Sequence, residues 1–501
     1  MSFALTLKLN TTKYDEAVLN KRFYYGYKIS NVITAHASKQ LRLMKRDPVY
    51  QELLSERQKL KVADASKKEI ARINNELKVI RTSYGLSEYQ FHSFIKIQQH
   101  RYKKHIDSCT AQKIASQVWQ SVEKVLYGNG KRLHFHKHND FLSMEGKSNA
   151  SGIRYKDGCI EWNKLSIQVQ MPKHGISGSP AFKEYEYTKA CMNHKLCYNR
   201  IKRMQVGSRW HYYVQFIFDG EPPSKQNAHI GTGRVGIDIG TSTVAVSHPD
   251  GVILKELGTN VKNYSKELNR IQRALDRSRH ATNPGNYNPD GTVKQGVKLH
   301  WFISNHYKFL AAKKRSLERK QAASLKDGHE ALANEIISHG DDIYVESMSF
   351  RGLQHRTKET TYSKSGKANR KGRFGNSIKN HAPAKLISII ERKLGYEGIE
   401  LHKVKTKTFR ASQYNHVSDA YIKKRLSMRH TWVDGNCVQR DLYSSFLLMN
   451  SDVSLEYANK DKCNDTFNIF LKNHNDLILK MQNDGICYPS SFGLKYIRIA
   501  S

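Results

Sequence analysis

The stretch VGIDIGTSTVAVSHPDG, residues 235–251, decides how the second half of the chain is read. It reads as an apolar strand holding one acid, Asp238, then a turn at Gly240, an alternating strand, and a Pro-Asp-Gly turn. Asp238 breaks the solvent-facing alternation, and a carboxylate inside an apolar strand is costly unless a counter-charge or a metal ion meets it. Further on, GVILKEL (251–257) makes a third strand, long basic helices are expected across 261–278 and 297–338, and DDIYVE (341–346) makes a fourth strand.

A three-strand meander, helical material and a strand ending in an acid form the layout of a ribonuclease-H-like α/β domain. Glu346 ends that fourth strand, and Asp441 opens a helix, RDLYSSFLLMN (440–450), whose apolar face suits packing on the sheet. If the strands lie side by side and the helix N-terminus abuts them, Asp238, Glu346 and Asp441 meet at one sheet edge and offer oxygen ligands to hard cations. Two Mg²⁺ ions about 3.5–4 Å apart would then activate a water and stabilise the leaving oxygen of a phosphodiester. Taken alone, Asp441 equally suits a first helical turn, where it complements the macrodipole, and Glu346 suits a solvated strand end. GIDIGTS is also similar to the first phosphate loop of sugar kinases, actin and Hsp70-type ATPases. That reading needs a second Gly-rich phosphate loop, and none follows Gly251.

The chain has 501 residues, which predicts two or three domains. Its 83 Lys and Arg against 45 Asp and Glu leave a net charge of +38, so a polyanion, with nucleic acid first, is the expected partner. No apolar run approaches the ~20 residues that cross a bilayer, and the start MSFALTLKLN lacks a basic segment followed by an apolar run. A soluble intracellular protein is expected. Seven scattered cysteines without a C-x-x-C pair argue against a disulfide framework, and Cys191 and Cys197 around His194 lack zinc-ribbon spacing.

Composition divides the chain further. FALTLKL (3–9) reads as a strand, placing residues 1–15 as the first strand of a small β-barrel; 16–127 reads as a helical lobe, with Ile70, Ile73, Leu77 and Ile80 as a narrow apolar stripe. Residues 128–228 carry short runs such as RLHFH (132–136), GIRY, CIEW and LSIQVQM, the rest of the barrel, and WHYYVQFIFDG (210–220) closes it. The nuclease-like domain then occupies 229–501. Between Arg351 and Lys385 ten Lys and Arg stand against Glu359 alone, so this loop is expected to take phosphate through Arg351, Arg356, Arg370, Lys371 and Arg373. On the helical lobe Tyr84, Tyr89, Phe91 and Phe94 are expected either to stack on bases or to pack in the core.

GIDIG, IYVES and VQRDLYSSFL, in that order over residues 233–450, resemble the three acidic motifs of the RuvC nuclease domain of the TnpB family, the RNA-guided nucleases ancestral to type V CRISPR effectors. GKSNASGIRYKDGCIEWNKLSIQV (146–169) resembles the β-barrel segment of a TnpB subfamily. The resemblance implies an α/β multidomain protein: an RNase H-like (RuvC) nuclease domain with an N-terminal lobe of helical recognition region and wedge barrel. It implies an RNA-guided DNA endonuclease with Asp238, Glu346 and Asp441 as ligands to two Mg²⁺ ions. The implied partners are a guide RNA and double-stranded target DNA with a short flanking motif, with one RNA on a monomer in a prokaryotic cytoplasm. The chain departs from the family over about 408–438, where a four-cysteine zinc ribbon is usual. Asn415 and Ser418 stand at the cysteine positions, so zinc is not expected. Two other functions remain open: an RNA-guided DNA-binding regulator that does not cut, and a guide-independent recombinase or resolvase.

Overall fold

In Ser2–Leu9 every second side chain, Phe3, Leu5, Leu7 and Leu9, is buried, the alternation of a strand with one face on a core. The protein is described by a computed structural model over residues 2–497, apart from 64–65, 208, 224–228, 260, 356–358, 363–373 and 426. It divides into two compact units, residues 1–223 and 224–501.

In the first unit Ser2–Leu9 lies mid-sheet. It runs antiparallel to Arg209–Asp219, with Phe3 opposite Phe218, and to Leu165–Gln170, with Leu9 opposite Val169. The seven strands follow the order Ser143–Glu145, Leu196–Val206, Arg209–Asp219, Ser2–Leu9, Leu165–Gln170, Cys159–Trp162, Arg154–Lys156. The helices between residues 13 and 126 are thus an excursion between the first strand and the rest of its own sheet. Lys13–Met44 leads this excursion, started by a capping box of Thr12 and Asp15. The buried Arg22 guanidinium ties that helix to the sheet, donating to the carbonyls of Trp162 (2.7 Å) and Asn163 (2.9 Å).

One expectation changes here and one open alternative narrows. RLHFH forms no strand: the Asn31 side chain takes both backbone groups of His136, at 2.9 Å each, in place of a neighbouring strand. The four aromatics of the helical lobe do not form one surface. Phe91 is buried, Phe94 stacks on His36 with ring centres 4.0 Å apart, and Tyr84 donates to Asp47 at 2.8 Å, which leaves Tyr89 alone well exposed.

The second unit is built on a five-stranded sheet. Numbered in chain order within this unit, its main elements are β1 (Arg234–Ile239), β2 (Thr243–His248), β3 (Gly251–Glu256), α1 (Ser265–Thr282), α2 (Asn305–Ile337), β4 (Asp342–Glu346), α3 (Pro383–Tyr396), β5 (His402–Val404), α4 (Arg440–Met449) and α5 (Lys460–Asn483). The order is β3-β2-β1-β4-β5; the first three form an antiparallel meander, while β4 runs parallel to both β1 and β5. Strand parity separates two faces. Val235, Ile237, Ile239, Ile343 and Val345 pack with α2 and α3; Ala245, Leu254 and Tyr344 pack with α4 and α5.

Gly236 lies on the α4 face, and a methyl group there would collide with the Ser445 carbonyl oxygen and the Met449 amide nitrogen. Only a glycine admits the helix backbone this close to the strand. Gly236→Ala is therefore expected to lower the stability of the second unit by about 1–3 kcal/mol through overpacking, read as a lower unfolding midpoint for that unit. An unchanged midpoint would show that the helix is not seated on this strand.

Candidate active site

Each of the three acids is placed by backbone pairing or helix seating. Val345 is in register with Ile237 across the parallel β4–β1 pair, so Glu346 and Asp238 occupy the next rung at the C-terminal ends of adjacent strands. Asp238 shares the parity of Gly236, and Glu346 that of Tyr344, so both belong to the face that α4 covers. Asp441 lies in the first turn of α4, one turn before Ser445, the residue seated on Gly236. One helical turn advances ~5.4 Å and two strand residues ~6.6 Å, so Asp441 comes level with Asp238.

Electrostatics report the same convergence. Burial pushes the Asp238 carboxyl well above the usual carboxylate range, and the charges of Asp441 and Glu346 push it further, against the opposing pull of Arg440 and the Ser444 hydroxyl. Burial also raises Glu346, partly offset by a hydrogen bond from the Ala411 backbone. All three acids keep partial contact with solvent. The Ser444 hydroxyl is buried and makes no hydrogen bond of normal geometry among the described residues.

One cation, Arg440, adjoins the acids, and Lys424 lies near Arg440. Arg440 holds Asp441 Oδ1 through Nε at 3.2 Å and Nη2 at 3.1 Å while its Nη1 donates to the Met428 carbonyl at 3.0 Å. Burial and the nearby Arg440 charge lower the Lys424 ammonium pKa. Among the described residues no three His, Cys, Asp or Glu side chains are grouped tightly enough to hold an ion as they stand. The trio shares one electrostatic neighbourhood without closing round a single point, and Asp441 is engaged by Arg440. The donor chemistry nonetheless fits a hard cation: all three groups are carboxylates, burial raises Asp238 and Glu346, and at Asp238 the charges of the other two acids add to it.

The ribbon-like segment is held by packing. Asn415 Oδ1 accepts from the amides of Val417 (3.0 Å) and Ser418 (3.4 Å), closing the turn between Tyr414–Asn415 and Ala420–Tyr421. Buried His416 meets the Tyr443 hydroxyl at 2.7 Å, joining that turn to α4. None of the seven cysteines forms a disulfide. Of the expected phosphate-binding residues, Arg351 is exposed in the short helix Phe350–Leu353 that follows Glu346; Arg356, Arg370, Lys371 and Arg373 lie outside the described residues. Arg440 is a site residue the sequence reading missed. Its signal was its place beside Asp441 in the sequence.

No protein-family model matches the chain, and no curated protein matches it. Among solved structures it is similar to a Cas12f1–sgRNA–target DNA complex, with TM-score 0.41 and 11% identity over 91% of this chain and 99% of that one. A CRISPR–Cas12f ternary complex matches with TM-score 0.23 and 12% identity over 89% of this chain and 99% of that one. Likeness at these scores does not establish a shared fold.

A carboxyl group with a raised folded pKa binds more protons folded than unfolded just above its ordinary range, so its share of stability is lost as pH rises through that range. In EDTA the unfolding midpoint of the wild type should fall relative to Asp238→Asn as pH rises from about 4 to 8. Adding Mg²⁺ should restore the wild type and leave the variant unmoved. Parallel pH profiles for the two proteins would show that no strained negative charge resides there.

Proposed function

We propose that this chain is an RNA-guided DNA endonuclease of the TnpB-like or compact type V effector kind, whose second unit is an RNase H-like (RuvC) domain. The observation that carries the reading is the arrival of Asp238, Glu346 and Asp441 on one sheet face, from two adjacent parallel strands and one helix start. The antiparallel meander followed by parallel strands supports it. So do the order of the three acidic motifs and the charge of +38.

In this reading the three carboxylates hold two Mg²⁺ ions, which when bound supply an acidified water and charge neutralisation at phosphorus. Arg440 covers Asp441 in the free protein and yields that carboxylate when a cation competes for it. Guide RNA selects the target by base pairing, and the protein contributes phosphate contacts and recognition of a short flanking duplex. The helical excursion and seven-stranded sheet of the first unit serve as recognition and wedge regions, and Arg351 with the basic stretch to Lys385 lies beside the acids in sequence. A monomer carrying one RNA in a prokaryotic cytoplasm completes the proposal. No helix among the described residues is long and apolar enough to cross a membrane.

A second reading, a guide-directed DNA binder that does not cut, draws on the Arg440–Asp441 pair and the open arrangement of the trio. One assay separates them. The protein is purified with co-expressed RNA and challenged with guide-matched and mismatched duplexes in Mg²⁺ or EDTA. Cutting should require the matched guide and Mg²⁺. It should drop on the order of 10³-fold in Asp238→Ala, Glu346→Ala or Asp441→Ala, since several kcal/mol of transition-state stabilisation vanish. Binding without cleavage in the wild type would favour the second reading, and cutting indifferent to RNA would favour a guide-independent recombinase or resolvase.

A further inference from the structure

Helix α2 is built in two parts. Its buried residues begin only at Leu325, so residues 305–324 form roughly 30 Å of helix, at 1.5 Å per residue, with no buried side chain. The change occurs at the end of the sheet that carries the acids. Gly258 follows β3, whose last residue pairs with Thr243 at the start of β2, and a Cβ on Gly258 would stand 2.8 Å from Leu325 Cδ1. The α1–α2 hairpin therefore leaves the sheet at its acid end as an arm, joined by residues 283–304.

The tip of this arm is ordered by polar bonds, not by a core: between Leu275 and Leu325 no described hydrophobic residue is buried. Asn283 donates to the carbonyls of Arg279 and Phe302 at 2.9 Å each and accepts from the Phe302 amide at 2.6 Å; Asn286 donates to the His300 carbonyl at 2.6 Å. This framework holds rings out to water. Phe302 is 72% exposed, Phe309 66% and Trp301 38%, and Trp301 is braced by the edge of Tyr287 at 5.8 Å and by the Arg279 guanidinium at 5.2 Å.

Exposed rings on a firmly built tip are unfavourable in water unless something covers them. Charge identifies what does. From Arg277 to Lys314 there are seven Lys and Arg and a single acid, Asp290, whose carboxylate is engaged by the Thr292 amide and hydroxyl. Cations interleaved with open aromatic faces suit an unpaired polynucleotide, with phosphates on the cations and bases on the rings. We propose that the arm tip holds an unpaired stretch of the DNA strand to be cut, stacking bases on Phe302 and Trp301 and leading the strand to the acid end of the sheet. The choice of DNA strand rests on the endonuclease reading; the stacking site rests on the arm itself.

The test uses the full chain purified with its RNA, held in EDTA to prevent cutting. A single-stranded oligodeoxynucleotide carrying 5-iododeoxyuridine is photo-crosslinked to it, and the adducts are mapped by mass spectrometry. Adducts are expected on Trp301 or Phe302. Phe302→Ala, a surface change that leaves the unfolding midpoint in place, should weaken binding of the single strand about tenfold. Phe302→Trp should retain binding, and a DNA duplex of the same length should be less affected. Unchanged affinity in Phe302→Ala overturns the proposal, as does an effect confined to single-stranded RNA, or a lower midpoint with unchanged DNA binding, which would assign the rings to contacts within the chain. A protein that binds DNA through Phe302 yet never cuts leaves the tip assignment standing and removes the endonuclease reading. Guided cutting with Phe302-independent binding does the reverse.

Discussion

The backbone contact between α4 and β1 at Gly236 is the constraint on which the second unit depends. Because the strand offers no side chain there, the helix settles on the sheet with Ser445 and Met449 against the glycine. That seating sets the height of Asp441 over the strand ends. It is held by apolar packing, since Leu442, Tyr443, Phe446, Leu447, Leu448 and Met449 are all buried in one core with α5. Non-directional hydrophobic burial and one close steric fit thus place a group whose own charge opposes being there.

The cost of that placement is visible in Asp238. Three acids share a poorly solvated corner, and the one cation acting on Asp238, Arg440, is committed to Asp441 and the Met428 carbonyl. In the proposed function this corner of an otherwise strongly basic chain takes cations and, beyond them, phosphate. On the α1–α2 arm positive charge and exposed rings coincide.

Much of this was legible from periodicity. The strands of the 235–257 meander, the strand ending at Glu346 and the helix at 440–449 follow from alternation and apolar spacing, which depend only on local geometry. Local signals misled where a side chain replaced backbone pairing, as Asn31 does for His136. They were also ambiguous where aromatic residues crowd together, because nothing in the sequence separates a buried Phe91 from an exposed Tyr89 two positions away on another helix face.

By itself the sequence determined which residues carry charge, the meander, the strand ending at Glu346 and the helix at 440–449 of the second unit, and which three acids sit at element ends. Tertiary structure alone decided that the first strand lies amid strands 160–217 residues later in the chain, that Arg440 engages Asp441, and that Lys424 lies near Arg440. The physical reason is range. Element type follows from side-chain spacing within a few residues, whereas pairing register, helix seating and the solvation of a carboxylate depend on which distant atoms share its volume.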